Sequence, residues 1–457
     1  MKRVISWAMA VALLFTAVLT LFGCANQGSG GNSTEISTES NQIEAESQPM
    51  ITISDRADYA NVALGKRYSK SVLYPDNVSP TYPDENNKTM TDGVITPEGA
   101  KFSHPSFIGF NKYSFNYANN GYSSITVNLG GNYLVDKFVA HVASKYYYDA
   151  GITAPEFAWI YVSNDNKNWY KVGKTSHTDT DESNTVASVL ELEYAISAKY
   201  IQYRFVGDSN WILVCEVEAY GVESDETVIP EQDEEIKFLF VGNSSTYYFN
   251  IPIRFIELAE AAGKKIDVTY CCAGDSHLTQ WADDTLVNHG QVLKAKLLEK
   301  KYDYVVLQDH SSTDFNKSKA AIDIIKPLIE QNGAEMVLYM RYSSSDDINQ
   351  RIASAYRHYQ NYTSLAKEFN VSKVAPAAEA FLIVNQRYPE INLYHTDNSH
   401  HSNVGSYLIA CVWAITYLGI DVTDVPYYAS LDIETATKLK ECAKLACEVG
   451  YDFPQEN

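Results

Sequence analysis

The chain has 457 residues, 45% of them hydrophobic, so it is long enough for two domains with sizeable cores plus extensions. Its formal net charge of -21 excludes nucleic acid as a partner and excludes a basic surface that would grip anionic lipid. A neutral sugar or a small ester is compatible with that charge.

Met1-Lys2-Arg3 and the apolar run from Ile5 to Phe22 read as a secretory signal over residues 1–23. The run ends in Leu21-Phe22-Gly23-Cys24, which resembles the lipobox of bacterial lipoproteins. That resemblance implies a lipidated Cys24 and an extracytoplasmic protein held at the cell membrane by its anchor. An uncleaved N-terminal anchor is the other reading of the same run. Residues 24–50 are rich in Ser, Thr, Asn, Gln, Gly and Glu and read as a solvated tether. The remaining six cysteines have no metal-ligand spacing and read as buried thiols.

Residues 51–222 change character. Alternating runs such as Ser124–Leu129, Phe157–Val162 and Tyr200–Phe205 are separated by Gly, Asn, Asp and Pro turns. The pattern predicts an all-β sandwich or jelly roll. Its strings resemble the factor V/VIII type C, or discoidin-like, domain, a group that includes many bacterial carbohydrate-binding modules. They are Asn61-Val62-Ala63-Leu64-Gly65, Thr91-Asp92-Gly93, Ile125–Gly130, Val162–Asp165 before Trp169, and Glu216–Gly221. The resemblance implies a structural calcium at Asp92 and Glu216, whose carboxylates suit a hard cation. It also implies glycan binding, for which Tyr146, Tyr147 and Tyr148 are candidate stacking rings; packing between strands explains three neighbouring tyrosines equally well.

Residues 223–235 include Asp225–Glu235, with six acidic residues, no basic one and Pro230 in the middle. This stretch reads as a linker. From Ile236 to residue 457, strand-like runs alternate with helical stretches. The strands fall at Ile236–Val241, Ile266–Cys272, Tyr304–Leu307, Met336–Met340 and Val371–Ala375, and helices include Ile253–Ala262, Ser318–Gln331 and Ile348–Glu368. Such alternation predicts a three-layer α/β domain, a parallel sheet between two helical layers.

The first of these strands ends in Gly242-Asn243-Ser244-Ser245-Thr246, and a helix with Pro252 in its first turn follows. A strand, a tight turn with a hydroxyl and a helix present a serine nucleophile beside unpaired amides. The base and its orienting carboxylate are found in Asp397-Asn398-Ser399-His400, near the end of the chain. Ser first and Asp-x-x-His last resembles the SGNH/GDSL hydrolase superfamily, with its flavodoxin-like fold. The resemblance implies Ser244 as nucleophile, His400 as general base and Asp397 as its orienter, with no catalytic cofactor. It further implies an oxyanion hole from Ser244, Gly274 and, where the family carries an Asn, Gln308; Ser312 is second choice for that donor. Gly242-Asn243-Ser244 stands where the family often has Gly-Asp-Ser, while the literal Gly274-Asp275-Ser276 falls after the wrong strand.

Two other side-chain groupings fall short of the triad. His395 and His401 beside Asp397 and His400 lack helical metal-ligand spacing. Asp309 and His310 form an acid/base pair without a nucleophile. The function that follows is a cell-surface serine esterase, removing O-acyl or O-acetyl groups from a carbohydrate that the β domain binds. The alternative, from a different class, is a surface glycan-binding lipoprotein whose SGNH fold has little or no activity.

Overall fold

The computed structural model describes residues 58–71, 82, 84, 86–111, 122–207, 209–230 and 234–453. The signal, Cys24 and the tether lie outside the described residues. In the first half the chain forms β1 (Ala60–Asn61), β2 (Tyr68–Ser71), β3 (Ile108–Asn111), β4 (Ser123–Ala143), β5 (Phe157–Ser163), β6 (Tyr170–Lys174), β7 (Thr185–Val206) and β8 (Trp211–Glu223). All pair antiparallel in the order β1-β8-β4-β7-β5-β6, with β2 also on β4 and β3 on β8. Strands of 21 and 22 residues cannot stay flat; β4 and β7 bend where their register shifts between Asn128 and Tyr133 and between Val135 and Lys137. The bent sheet buries Ile125, Val127, Phe138, Ile160, Tyr203 and Phe205 in one core.

The second half forms β9 (Ile236–Gly242), β10 (Ile266–Cys272), β11 (Tyr304–Leu307), β12 (Glu335–Met340) and β13 (Val374–Pro376). They make a wholly parallel sheet in the order β10-β9-β11-β12-β13. The chain thus has an antiparallel sheet in its first half and a parallel sheet in its second, as the two sequence patterns predict. The helices are α1 (Ser244–Tyr247), α2 (Ile251–Ala261), α3 (Leu278–Ala282), α4 (Gly290–Glu299), α5 (Phe315–Asn332), α6 (Ile348–Phe369), α7 (Ala377–Arg387), α8 (Asn403–Leu418) and α9 (Ile433–Glu448).

Apolar residues on both sides of each strand explain the layers. Phe238 and Phe240 pack with α2, α8 and α9, with Phe240 stacked on Trp413 at a centroid distance of 4.4 Å. Leu239 and Val241 point the opposite way, into a core with α3, α4, α5 and α6. In this strand order the direction of winding reverses between β9 and β11, the place where sheets of this kind bind ligands, beyond the strand carboxyl ends.

The two parts are joined by more than the linker. Phe157, Trp159 and Val206 of the β-rich part are buried in the same cluster as Ile253, Phe255 and Ile256 of α2. Around this seam Lys171 pairs with Glu260, Lys174 with Glu257, and Arg254 with Glu156. Arg254 also donates to Asn403 Oδ1 at 3.2 Å, at the start of α8. The acidic stretch is itself partly fastened, since Ser197 N–H donates to the Val228 carbonyl at 2.8 Å.

Candidate active site

The site begins at the end of β9. A Cβ on Gly242 would lie 2.5 Å from Gln308 Oε1 and 2.6 Å from Thr246 Oγ1, so only glycine permits this approach. Asn243 then caps α1: its Oδ1 accepts from Ser245 N–H at 3.0 Å, and its Nδ2 donates to the Ser276 carbonyl at 3.0 Å. This is the service the Asn was expected to give in place of Asp. Tyr339 hydroxyl donates to the Ser245 carbonyl at 3.2 Å and Trp281 Nε1 donates to the Gly242 carbonyl at 3.1 Å. The turn is held from every side.

Ser244 sits on this turn, and its hydroxyl lies 2.8 Å from His400 Nε2. His400 Nδ1 lies 2.8 Å from Asp397 Oδ2, and Asp397 Oδ1 accepts the Ser399 and His400 N–H groups at 2.9 Å each. Partial burial pushes the Asp397 carboxyl up, but these hydrogen bonds and the imidazole outweigh it and hold the group well below the usual carboxylate range. The Tyr248 ring stacks on His400 with centroids 4.2 Å apart and planes 19° apart. Three residues 156 and 3 positions apart in sequence thus form one hydrogen-bonded chain.

The backbone N–H groups of Ser244 and Gly274 have no hydrogen-bond partner among the described residues. Gly274 lies against α1, where an added Cβ would be 3.7 Å from the Tyr247 hydroxyl. Gln308 is placed differently from expectation. Its Oε1 accepts from Asn243 N–H at 3.0 Å and Thr246 hydroxyl at 2.9 Å, and its Nε2 donates to the Asp309 carbonyl. The side chain is buried beneath the turn and braces it, so it is not the third oxyanion donor. Ser312 is also absent from the hole, bonded instead to His310 Nδ1 at 2.8 Å.

The competing sequence readings find other uses. Ser276 is buried and its hydroxyl donates to the Ala273 carbonyl at 2.8 Å. Asp309 and His310 do not pair by their side chains: the Asp309 carboxylate binds Leu278 N–H, His310 N–H and Ser318 hydroxyl, while His310 Nε2 faces Asp275 at 2.9 Å. His401 is fully buried between the Tyr248 carbonyl and the Tyr342 hydroxyl, and burial pushes its pKa down to about 3. His395 Nδ1 lies 3.1 Å from the Asp397 oxygen that His400 uses. Among the described residues no group of three His, Cys, Asp or Glu side chains is placed to hold a metal. The described cysteines are free thiols, as expected.

In the β-rich part Tyr147 turns inward, against Phe102 and Phe107, and its hydroxyl meets Asn184 Nδ2 at 3.2 Å. It is a core residue rather than a stacking ring. Tyr146 and Tyr148 remain exposed, at 45% and 70%. Glu216 is fully buried, and neither carboxylate oxygen has a hydrogen bond of good geometry. Burial pushes its pKa up to about 8, and the Asp92 carboxylate and the Gly93 backbone stand beside it. An orphaned carboxylate next to a second one is a donor set that fits a hard cation.

Neither a family model nor a curated protein matches the chain. Among solved structures it is similar to a DUF4886 family protein from Bacteroides uniformis, at 17% identity over 48% of this chain and 98% of that one, with a TM-score of 0.44. A proposed SGNH hydrolase from Slackia heliotrinireducens is 22% identical over 40% of this chain and 99% of that one, with a TM-score of 0.34. A Clostridium perfringens module, CBM32-5, in complex with GalNAc-β-1,3-galactose, is 16% identical over 34% of this chain and 94% of that one, with a TM-score of 0.23.

Proposed function

We propose that the protein is a serine ester hydrolase that removes O-acyl groups from a glycan. The observation that carries this reading is the unbroken chain from Ser244 through His400 to Asp397. Ser244 Oγ attacks the ester carbonyl carbon as His400 Nε2 takes its proton. The carbonyl oxygen becomes an oxyanion facing the Ser244 and Gly274 N–H groups. Collapse breaks the bond to the alcohol oxygen, which leaves with the proton from His400. Water then attacks the acyl-serine, giving its proton to His400, and the acid departs as Ser244 is regenerated. Asp397 keeps the imidazole Nδ1–H directed away from the serine throughout.

The glycan half of this reading is supported by the discoidin-like motifs and by the exposed Tyr146 and Tyr148 rings. The N-terminal residues support export and a lipid anchor at Cys24, and with them a reaction at the cell surface. Because the seam joins both parts, the test uses the whole mature chain. A fluorophosphonate probe is expected to label Ser244, found by peptide mapping, and to leave Ser244→Ala and His400→Ala unlabelled. A folded chain that takes no label at Ser244 would sink the esterase and leave a glycan-binding protein.

Asp92 and Glu216 are further read as holding a structural calcium. With the folded pKa of Glu216 raised, the calcium-free protein gains stability from its protonated form only at low pH. That contribution is lost as pH rises from the ordinary carboxylate range through about 8. Bound cation would favour the ionised form, so calcium is expected to raise the melting temperature more at pH 8.5 than at pH 5.5. Thermal melts in calcium and in EGTA check this, and Glu216→Gln is expected to abolish the difference. Equal melting temperatures at pH 8.5 would show that the site holds no calcium.

A further inference from the structure

The carboxyl end of β12 carries a cation that the triad does not use. Arg341 is 6% exposed, and among the described residues no carboxylate pairs with it and its Nε has no hydrogen-bond partner. Ser343 Oγ, two residues on and 4% exposed, is likewise buried without a partner. The buried acid at this end of the sheet, Asp309, is already committed to Leu278, His310 and Ser318. The histidines nearby supply no anion: His310, His358 and His401 are each held below their usual range, chiefly by burial, with the guanidinium adding to the effect.

Tyr342 ties this cation to the segments that carry Ser244 and His400. Tyr342 hydroxyl accepts from His401 N–H at 2.9 Å, next to the catalytic imidazole, and is within reach of both the Arg341 and Ser245 side chains. β12 lies next to β11, so its carboxyl end belongs to the edge of the sheet where ligands bind in such folds. A desolvated guanidinium without a counter-charge is unfavourable unless a ligand supplies one. Its planar fork matches the two oxygens of a carboxylate. In a chain of net charge -21 this is a local exception to a field that repels anions.

We infer that Arg341, with the Ser343 hydroxyl, forms a carboxylate-recognising subsite of the hydrolase site, so that the substrate is an ester bearing a carboxylate close to the bond that is cut. The inference rests on Ser244 as the reacting group. An acylated acidic sugar and a sugar carrying a dicarboxylic half-ester both meet the requirement.

The test measures binding, so it does not depend on turnover. Whole-chain Ser244→Ala is titrated with methyl glucuronide, with methyl 6-O-succinyl glucoside and with neutral methyl glucoside. At least one acid is expected to bind about tenfold or more tightly than the neutral sugar, as suits a charge-assisted fork. Preference for the glucuronide puts the carboxylate on the sugar, and preference for the succinyl compound puts it on the acyl group. Adding Arg341→Gln is expected to bring the ratio close to one, and Arg341→Lys to restore part of it. Equal binding of acid and neutral sugar, or a preference that survives Arg341→Gln, overturns the subsite. Should Arg341→Gln not fold, Ser343→Ala is expected to weaken acid binding about threefold to tenfold, as loss of one hydrogen bond does, and an unchanged affinity overturns it. Failure of the esterase itself would appear separately, as a chain without probe label at Ser244.

Discussion

Asp397→Asn is expected to lower ester turnover by about 10³–10⁴-fold while leaving the fold intact. Asp397 Oδ2 accepts from His400 Nδ1, which leaves Nε2 free to take the serine proton. An amide offers an N–H in place of one oxygen and can reverse that tautomer. Nε2 would then carry the proton and donate toward Ser244, where a base is needed. The carboxylate also closes the turn by accepting Ser399 and His400 N–H, but asparagine retains an oxygen for those bonds. Circular dichroism should therefore match that of the unaltered chain, with kcat lost and KM little changed. His395, which approaches the same oxygen, is not in line with the serine, and His395→Ala is expected to cost less than about tenfold, as a supporting contact would. Full activity in Asp397→Asn would remove the carboxylate from the mechanism.

Gln308→Leu separates two roles that an amide at this strand end could play. An oxyanion donor acts only on the transition state, so losing it would cost about 10²–10³ in kcat with no change in stability. A brace acts on the folded turn. Leucine leaves the buried Asn243 N–H and the Thr246 hydroxyl without their acceptor and the Asp309 carbonyl without its donor. Orphaning one buried group costs about 1–3 kcal/mol, so a loss of about 2–5 kcal/mol is expected in urea unfolding. Activity should fall as well, because Ser244 rides on the released turn. Gly242→Ala, whose Cβ would press on the Gln308 amide, should destabilise in the same direction. A Gln308→Leu protein as stable as the parent but slow would return Gln308 to the hole.

Where local rules apply, the sequence could be read to the residue. β10 and β11 begin and end where their apolar runs do, and Ser244, Asp397 and His400 converge because spacing and strand ends leave few other arrangements. The helix that Pro252 signals is α2, but the one-turn α1 and the kink between them are not legible in the sequence. Phe249 and Asn250 adopt φ of 48° and 56°, a conformation that asparagine favours but that phenylalanine does not announce. Gln308 had the right chemistry at the right strand end, but the direction of its side chain depends on Thr246, 62 residues earlier. Three consecutive tyrosines could not reveal which would turn inward; the short helical turn of Lys145–Ala150 selects Tyr147. The seam left no local trace because its ion pairs join residues 83 to 98 positions apart.

That seam bears on how such a protein can be taken apart or recombined. The helix leading away from the nucleophile, α2, is also a wall of the β-rich part, so neither half is a free-standing cassette. Exchanging the β-rich half for another β domain would strip Ile253, Phe255 and Ile256 of their cover and leave Glu257 and Glu260 without their lysines. The two surfaces are also held at one spacing and one angle. On the proposed function, a polymer gripped by the first would offer the second only those esters lying at a set distance along its length, which would make the protein a ruler as well as a blade.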